Sequence, residues 1–195
     1  MKRPLLFSLL GFVLLAGLTS PSRAQASSRA ATLLQKGRFS PHDTISRKID
    51  GNRVTIVYGR PYTNDPYTHH PRKIWGGLVP DGKIWRLGAD EATLLVTQRA
   101  IKLGGLDVPA GAYTLFMLPA ADGSAELIVN REIGQWGIDP YHKDDELGRV
   151  PLTRYALPST VDEFTIVLDN GNGRGGVLKL MWEQTGYSVD YTVQK

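Results

Sequence analysis

The chain has 195 residues, with 23 Lys and Arg against 19 Asp and Glu, and no cysteine. The missing thiols exclude disulfide staples, thiolate metal sites and thiol catalysis, so the core has to hold by packing alone. Three basic residues, Lys2, Arg3 and Arg23, lie within the first 24 residues and all 19 acidic residues lie after them, leaving 20 basic against 19 acidic in the remainder; the net +4 therefore gives no argument for nucleic-acid binding.

The first segment reads MKRP, then an apolar run from Leu5 to Leu18, then TSPSRAQA. A basic tip, a short apolar core and small residues spaced as A-x-A describe a secretory signal peptide over residues 1–24. Cleavage after Ala24 or Ala26 is expected. The run is short for a membrane span, which needs about 20 residues. The chain is thus expected to be exported, periplasmic or secreted, with no membrane span after cleavage. Residues 25–40 are small and polar and read as a flexible tether. A single domain is expected over 41–195.

From Pro41 nearly everything reads as strand and turn. TISRKI and RVTIVYG flank Asp50-Gly51, a pair that tolerates positive φ and so signals a tight hairpin. ATLLVTQ (92–98) is the next strand. AIKLGGLDV (100–108) reads as a hairpin on Gly104-Gly105, and GAYTLFMLP (111–119) is apolar on both faces, as a central strand would be. AELIVNRE (125–132), RVPLTRY (149–155), DEFTIVLDN (162–170) and GVLKLMWEQ (176–184) follow. In the last strand Tyr187, Val189, Tyr191 and Val193 alternate with polar residues, which puts one face in the core. About nine or ten short strands and no convincing helix predict an all-β fold, an antiparallel β-sandwich of jelly-roll-like form. Two stretches, 59–81 and 133–148, are irregular.

Several residue groups suggest chemistry. GNGRGG (171–176) lacks the Lys-Ser/Thr ending of a phosphate loop and reads as a turn. His69 and His70 are weak metal candidates, because neighbours on an extended chain point apart. KDDE (143–146) lacks the alternation and glycine of a calcium loop and reads as a solvated acidic turn. No cofactor is expected, and no Gly-x-Ser-x-Gly elbow occurs. Pro61 should stop strand pairing and leave Arg60 at a sheet rim, either in an ion pair or free to take an anion in two parallel hydrogen bonds. Trp136 and Tyr141, in GQWGIDPYHKDD, either cover core or stack on a planar or sugar ligand.

The richest stretch is IWRLGADEATLL (84–95). Arg86 and Glu91 are placed to meet across the Gly88 turn. That pair is either a structural brace or, with Trp85, the wall of a polar pocket. Asp90 and Glu91 as an acid/base pair is a further option, weakened because adjacent strand side chains diverge.

These residues carry a resemblance. YGRP, RKIWGGLVPDGKIWRLGADEAT, LDVPAGAYTLFMLP and the WG of QWG, in that order, resemble the bacterial family of unknown function DUF2911 from about Ser40 to Val193. The specific string is Trp85-Arg86-Leu87-Gly88-Ala89-Asp90-Glu91-Ala92-Thr93. The family usually carries asparagine where Asp90 stands, so the resemblance argues against Asp90 as an essential acid. It implies export and supplies no catalytic residue. The expectation is a non-catalytic binding domain for a small polar or anionic ligand, saccharide or peptide-like, with Arg60, Trp85, Arg86, Glu91, Trp136 and Tyr141 as candidate contacts. One rival is a hydrolase using Glu91 with His69 or His70. Another is a cell-envelope structural or interaction module without a pocket.

Overall fold

The computed structural model describes residues 40–171, 173 and 175–195; the signal peptide and most of the tether expected from the sequence lie outside them. Nine strands form one antiparallel sheet: β1 (His42–Ile49), β2 (Asn52–Gly59), β3 (Thr93–Thr97), β4 (Ile101–Leu103), β5 (Leu106–Val108), β6 (Gly111–Pro119), β7 (Ala125–Asn130), β8 (Glu146–Asn170) and β9 (Gly175–Val193). Their order across the sheet is β1-β2-β3-β6-β7-β8-β9-β4-β5. The all-β antiparallel expectation holds. The β1–β2 hairpin turns on Asp50 and Gly51 at φ 46° and 76°, the left-handed pair a two-residue hairpin requires.

Two pairs of expected strands are fused. RVPLTRY and DEFTIVLDN lie on the single 25-residue β8, and the last two expected strands lie on the 19-residue β9. The cause is visible in the ladder. β8 first pairs with β7, then with β9, and its register slips between Ala156 and Val161 and again before Thr165. Pro158 sits inside that slip, where a residue without an N–H does least harm. β9 absorbs its side of the irregularity at Glu183, whose φ is 51°.

The β2 ladder ends at Gly59, before Pro61, as expected, and the chain that follows is not left unpaired. It changes partner: the Phe164 N–H donates to the Pro61 carbonyl at 2.9 Å, the Thr63 N–H donates to the Asp162 carbonyl at 2.7 Å, and Tyr62 bridges Glu163. Pro61 contributes only its carbonyl, so its missing N–H costs nothing. The chain after β2 is thereby tied to β8.

The interior is aromatic at this end. Trp85 stacks on Trp182 with centroids 5.8 Å apart, and Phe164 meets Trp85 edge-on at 4.9 Å. Tyr58 packs edge-on against Phe164 at 5.9 Å, and the Ile166 N–H donates to its hydroxyl at 3.0 Å. Edge-to-face and offset contacts of this kind add about 0.5–1.5 kcal/mol each beyond the area they bury. The alternation in the last strand is as expected, with Tyr187, Val189, Tyr191 and Val193 all buried.

Candidate functional site

The segment between Ile84 and Thr93 is positioned by three sets of backbone contacts. Trp85 and Met117 of β6 exchange N–H to carbonyl bonds, both 2.8 Å. The turn behind Trp85 is closed by its indole N–H donating to the Gly88 carbonyl at 3.2 Å and by the Thr93 hydroxyl donating to the Leu87 carbonyl at 2.6 Å. Gly88 and Ala89 lie flat against the end of β2. A Cβ on Gly59 would run into the Ala89 carbonyl, and one on Gly88 would come within 2.8 Å of the Gly59 oxygen. Glycine is needed at both positions for backbone to approach backbone.

Leu87 and Asp90 adopt left-handed φ values of 56° and 63°. Asp and Asn tolerate that conformation best among residues with a Cβ. This gives a conformational reason for either residue at position 90 and removes any need for an acid there. Leu87 is held in it by complete burial.

The third set of contacts comes from the connection between β7 and β8. The Ala92 N–H donates to Gln135 at 3.1 Å, the Gly137 N–H donates to Asp90 at 2.9 Å, and Glu91 and Trp136 form an antiparallel bridge between them. Opposed residues of such a bridge project to the same side of the backbone pair, so Glu91 and Trp136 share one face of it. Gln135 is fixed in turn, its side-chain oxygen accepting from the buried Thr114 hydroxyl at 3.0 Å.

Glu91 turns to His42 rather than to Arg86. His42 Nε2 lies 2.9 Å from Glu91 Oε2 and 3.7 Å from Asp90 Oδ2, and its Nδ1 lies 3.0 Å from the Ser40 carbonyl. Both ring nitrogens therefore face oxygens. Arg86 goes under the 134–137 loop. Its Nε is buried without a hydrogen-bond partner, and its Nη1 would lie 3.0 Å from a Cβ on Gly137. The expected Arg86–Glu91 brace is thus replaced by a His42–Glu91 contact, because the Trp136 bridge and the left-handed Asp90 carry the Glu91 side chain to the β1 side. Beside Glu91 opens a mostly apolar depression of about 210 Å³, lined by His42, Val57, Tyr58, Gly59, Glu91, Ala92, Leu94 and Gly134.

The other candidates are placed elsewhere. Trp85 is 8% exposed and belongs to the aromatic core, so it is wall material behind the turn and not a rim contact. Arg60 braces the rim. Its Nη2 lies 3.2 Å from both Glu163 Oε2 and the Thr165 hydroxyl, and Asp43 Oδ2 stands 3.9 Å from Nη1. Tyr141 packs edge-on against Phe116 at 5.1 Å and donates its hydroxyl to Glu146 Oε1 at 2.6 Å. Burial first, and then that bond to a carboxylate, push its phenol well above the usual tyrosine range. Glu146 is also gripped by Arg149, through Nε at 2.8 Å and Nη2 at 2.7 Å, which holds its carboxyl below the ordinary range. Tyr141 thus covers core and pins the loop. Trp136, in contrast, is 51% exposed.

His69 and His70 are exposed on the loop after β2, and His69 lines a separate depression with Tyr62, Asn64, Asp65 and Asp162. That depression shares no residue with the one beside Glu91. The imidazole that reaches Glu91 is His42, on β1. Its separation of 49 residues from Glu91 carries no local signal.

The family model described as protein of unknown function (DUF2911) matches residues 40–191, and the chain belongs to that family. No curated protein and no solved structure matches it. Among the described residues, no helix is long and apolar enough to cross a membrane.

Proposed function

We propose that this member of the DUF2911 family is an exported, non-catalytic binding domain for a small polyhydroxylated ligand, a saccharide, held beside Glu91 and Trp136. The observation that carries the reading is that Glu91 lines a mostly apolar depression and is paired, through an antiparallel backbone bridge, with the half-exposed Trp136. A sugar ring presents an apolar C–H face and a rim of hydroxyls. The first suits an indole or the Val57–Leu94 wall, and the second suits a carboxylate, whose hydrogen bonds are roughly twice as strong as neutral ones.

An anionic ligand has less support. Neither Arg60 nor Arg86 lines the depression, whereas Glu91 lines it and Asp90 stands within 3.7 Å of the same imidazole. A hydrolase built on Glu91 with His69 or His70 also loses support, since those imidazoles belong to another part of the surface. His42 is poorly suited to replace them as a general base, because a base needs a lone pair open to the substrate and both of its nitrogens already face acceptors.

The test is calorimetric titration of the protein with a panel of soluble oligosaccharides, repeated on Glu91→Gln. A saccharide that binds the wild type and binds the variant about tenfold or more weakly supports the reading, because a bond to a charged acceptor is worth roughly 1.5–3 kcal/mol net. Absence of any saccharide binding, or equal binding by both proteins, overturns it and favours a module without a pocket. Export belongs to the same proposal and has its own check. Mass spectrometry of the exported protein should find a chain starting at Gln25 or Ser27, and an intact Met1 in a cytoplasmic pool would contradict it.

A further inference from the structure

Away from Glu91, the connection between β7 and β8 brings three metal-ligating side chains together. We propose that Glu132, His142 and Asp145 form a binding site for one divalent transition cation of the zinc class. Their ligand atoms, one carboxylate oxygen from each acid and one imidazole nitrogen, all lie within 4.8 Å of one another. His142 Nδ1 stands 2.8 Å from Glu132 Oε2 and 4.0 Å from Asp145 Oδ2. Zinc bonds of about 2.0–2.2 Å at tetrahedral angles put ligands about 3.3–3.6 Å apart, between those two separations. A cation seated there replaces the proton shared by Nδ1 and Oε2, and a small rotation of the half-exposed Asp145 completes the set.

The scaffold beneath the three residues is rigid. Asn130 is fully buried at the end of β7, donates to the His142 carbonyl at 3.1 Å and accepts from the Glu132 N–H at 2.8 Å. The Arg131 N–H donates to the Asp145 carbonyl at 2.8 Å. One buried amide and one backbone bond thus hold the three ligand positions from behind, while their side chains point away from the core. Two carboxylates share a single imidazole here. The cation of Arg149 is engaged by Glu146 and Glu126, and Arg131 donates to the Glu146 carbonyl.

The donor set selects the metal. An imidazole nitrogen suits zinc and its neighbours, whereas calcium and magnesium take oxygen throughout. Three protein ligands leave a fourth position for water. A bound cation cross-links the two ends of the 131–145 connection, the segment whose middle carries Gln135 and Trp136. The proposal does not depend on the saccharide reading and stands or falls separately.

The experiment uses untagged protein stripped with a chelator, titrated with Zn²⁺ by calorimetry and with Co²⁺ by visible absorption. One equivalent of each is expected. His142→Ala and Asp145→Asn should each weaken zinc binding at least about tenfold, at the low end of what even outer-shell changes cost. Asp144→Asn, the adjacent acid outside the trio, should leave it unchanged. Thermal unfolding of the metal-free variants should match the metal-free wild type, because the replaced side chains are about half exposed. Failure to bind one equivalent overturns the proposal. So does retention of full affinity in the His142 and Asp145 variants, or an equal loss in Asp144→Asn, which would mean diffuse acidity rather than a site.

Discussion

From Trp85 to Ala89 the chain turns inward, and from Asp90 to Ala92 it turns outward. The inward half is packed against an aromatic cluster and against the backbone of β2, so closely that a Cβ on Gly59 has no room. The outward half is held by backbone bonds to residues 135–137, and its Glu91 carboxylate meets the His42 imidazole. Fixing a segment through its main chain is what allows a surface carboxylate to be well placed without being buried.

The contrast makes graded predictions. Trp85→Ala removes a ring that stacks on Trp182 and meets Phe164, and should destabilise the protein by about 3–5 kcal/mol in a denaturant titration. A loss below about 1 kcal/mol would mean that the ring is not core. Gly59→Ala forces β2 away from Ala89 and should cost about 1–3 kcal/mol, the usual penalty of overpacking. It should also displace the His42–Glu91 contact, visible as a changed His42 ring resonance by NMR.

The Tyr141–Glu146–Arg149 cluster pins the far end of the loop and gives a pH dependence. The Arg149 hydrogen bonds lower the Glu146 carboxyl below its ordinary 4.5 in the folded chain. Its contribution is therefore complete above 4.5 and fades as pH falls through the lowered folded value. Acid titration of Arg149→Met should show a shallower loss of stability below that point than the wild type. A parallel loss would separate Glu146 from acid stability. Arg60→Ala should cost least, up to about 1 kcal/mol, because its partners are partly solvated.

What was legible in the sequence was local. The Asp50-Gly51 hairpin, the Gly104-Gly105 hairpin and the alternation from Tyr187 to Val193 each depend on neighbours a few residues apart, and each is found. The fusion of strands into β8 and β9 was hidden because Pro158 falls within the register slip between Ala156 and Val161, while Gly186 stays in regular pairing with Tyr155. The role of Trp85 was hidden because its ring partners, Phe164 and Trp182, lie on the late strands β8 and β9. His42 was hidden for the same reason, since nothing near it names Glu91 as its partner. Trp136 was legible as a loop aromatic, but its place beside Glu91 depends on a bridge between two irregular segments. Sequence spacing suggested an Arg86–Glu91 pair, and the left-handed residues at 87 and 90 are what redirected it.

The most direct measurement is tryptophan fluorescence with acrylamide quenching, with and without the oligosaccharide that binds best in the panel. The chain has four tryptophans, and Trp136 is the one among them that stands half exposed. The account predicts that the saccharide shields one accessible tryptophan from acrylamide and that this protection disappears in Trp136→Ala, whose thermal stability stays close to wild type. Binding that leaves quenching unchanged, or protection that persists in Trp136→Ala, would contradict a site beside Glu91 and Trp136.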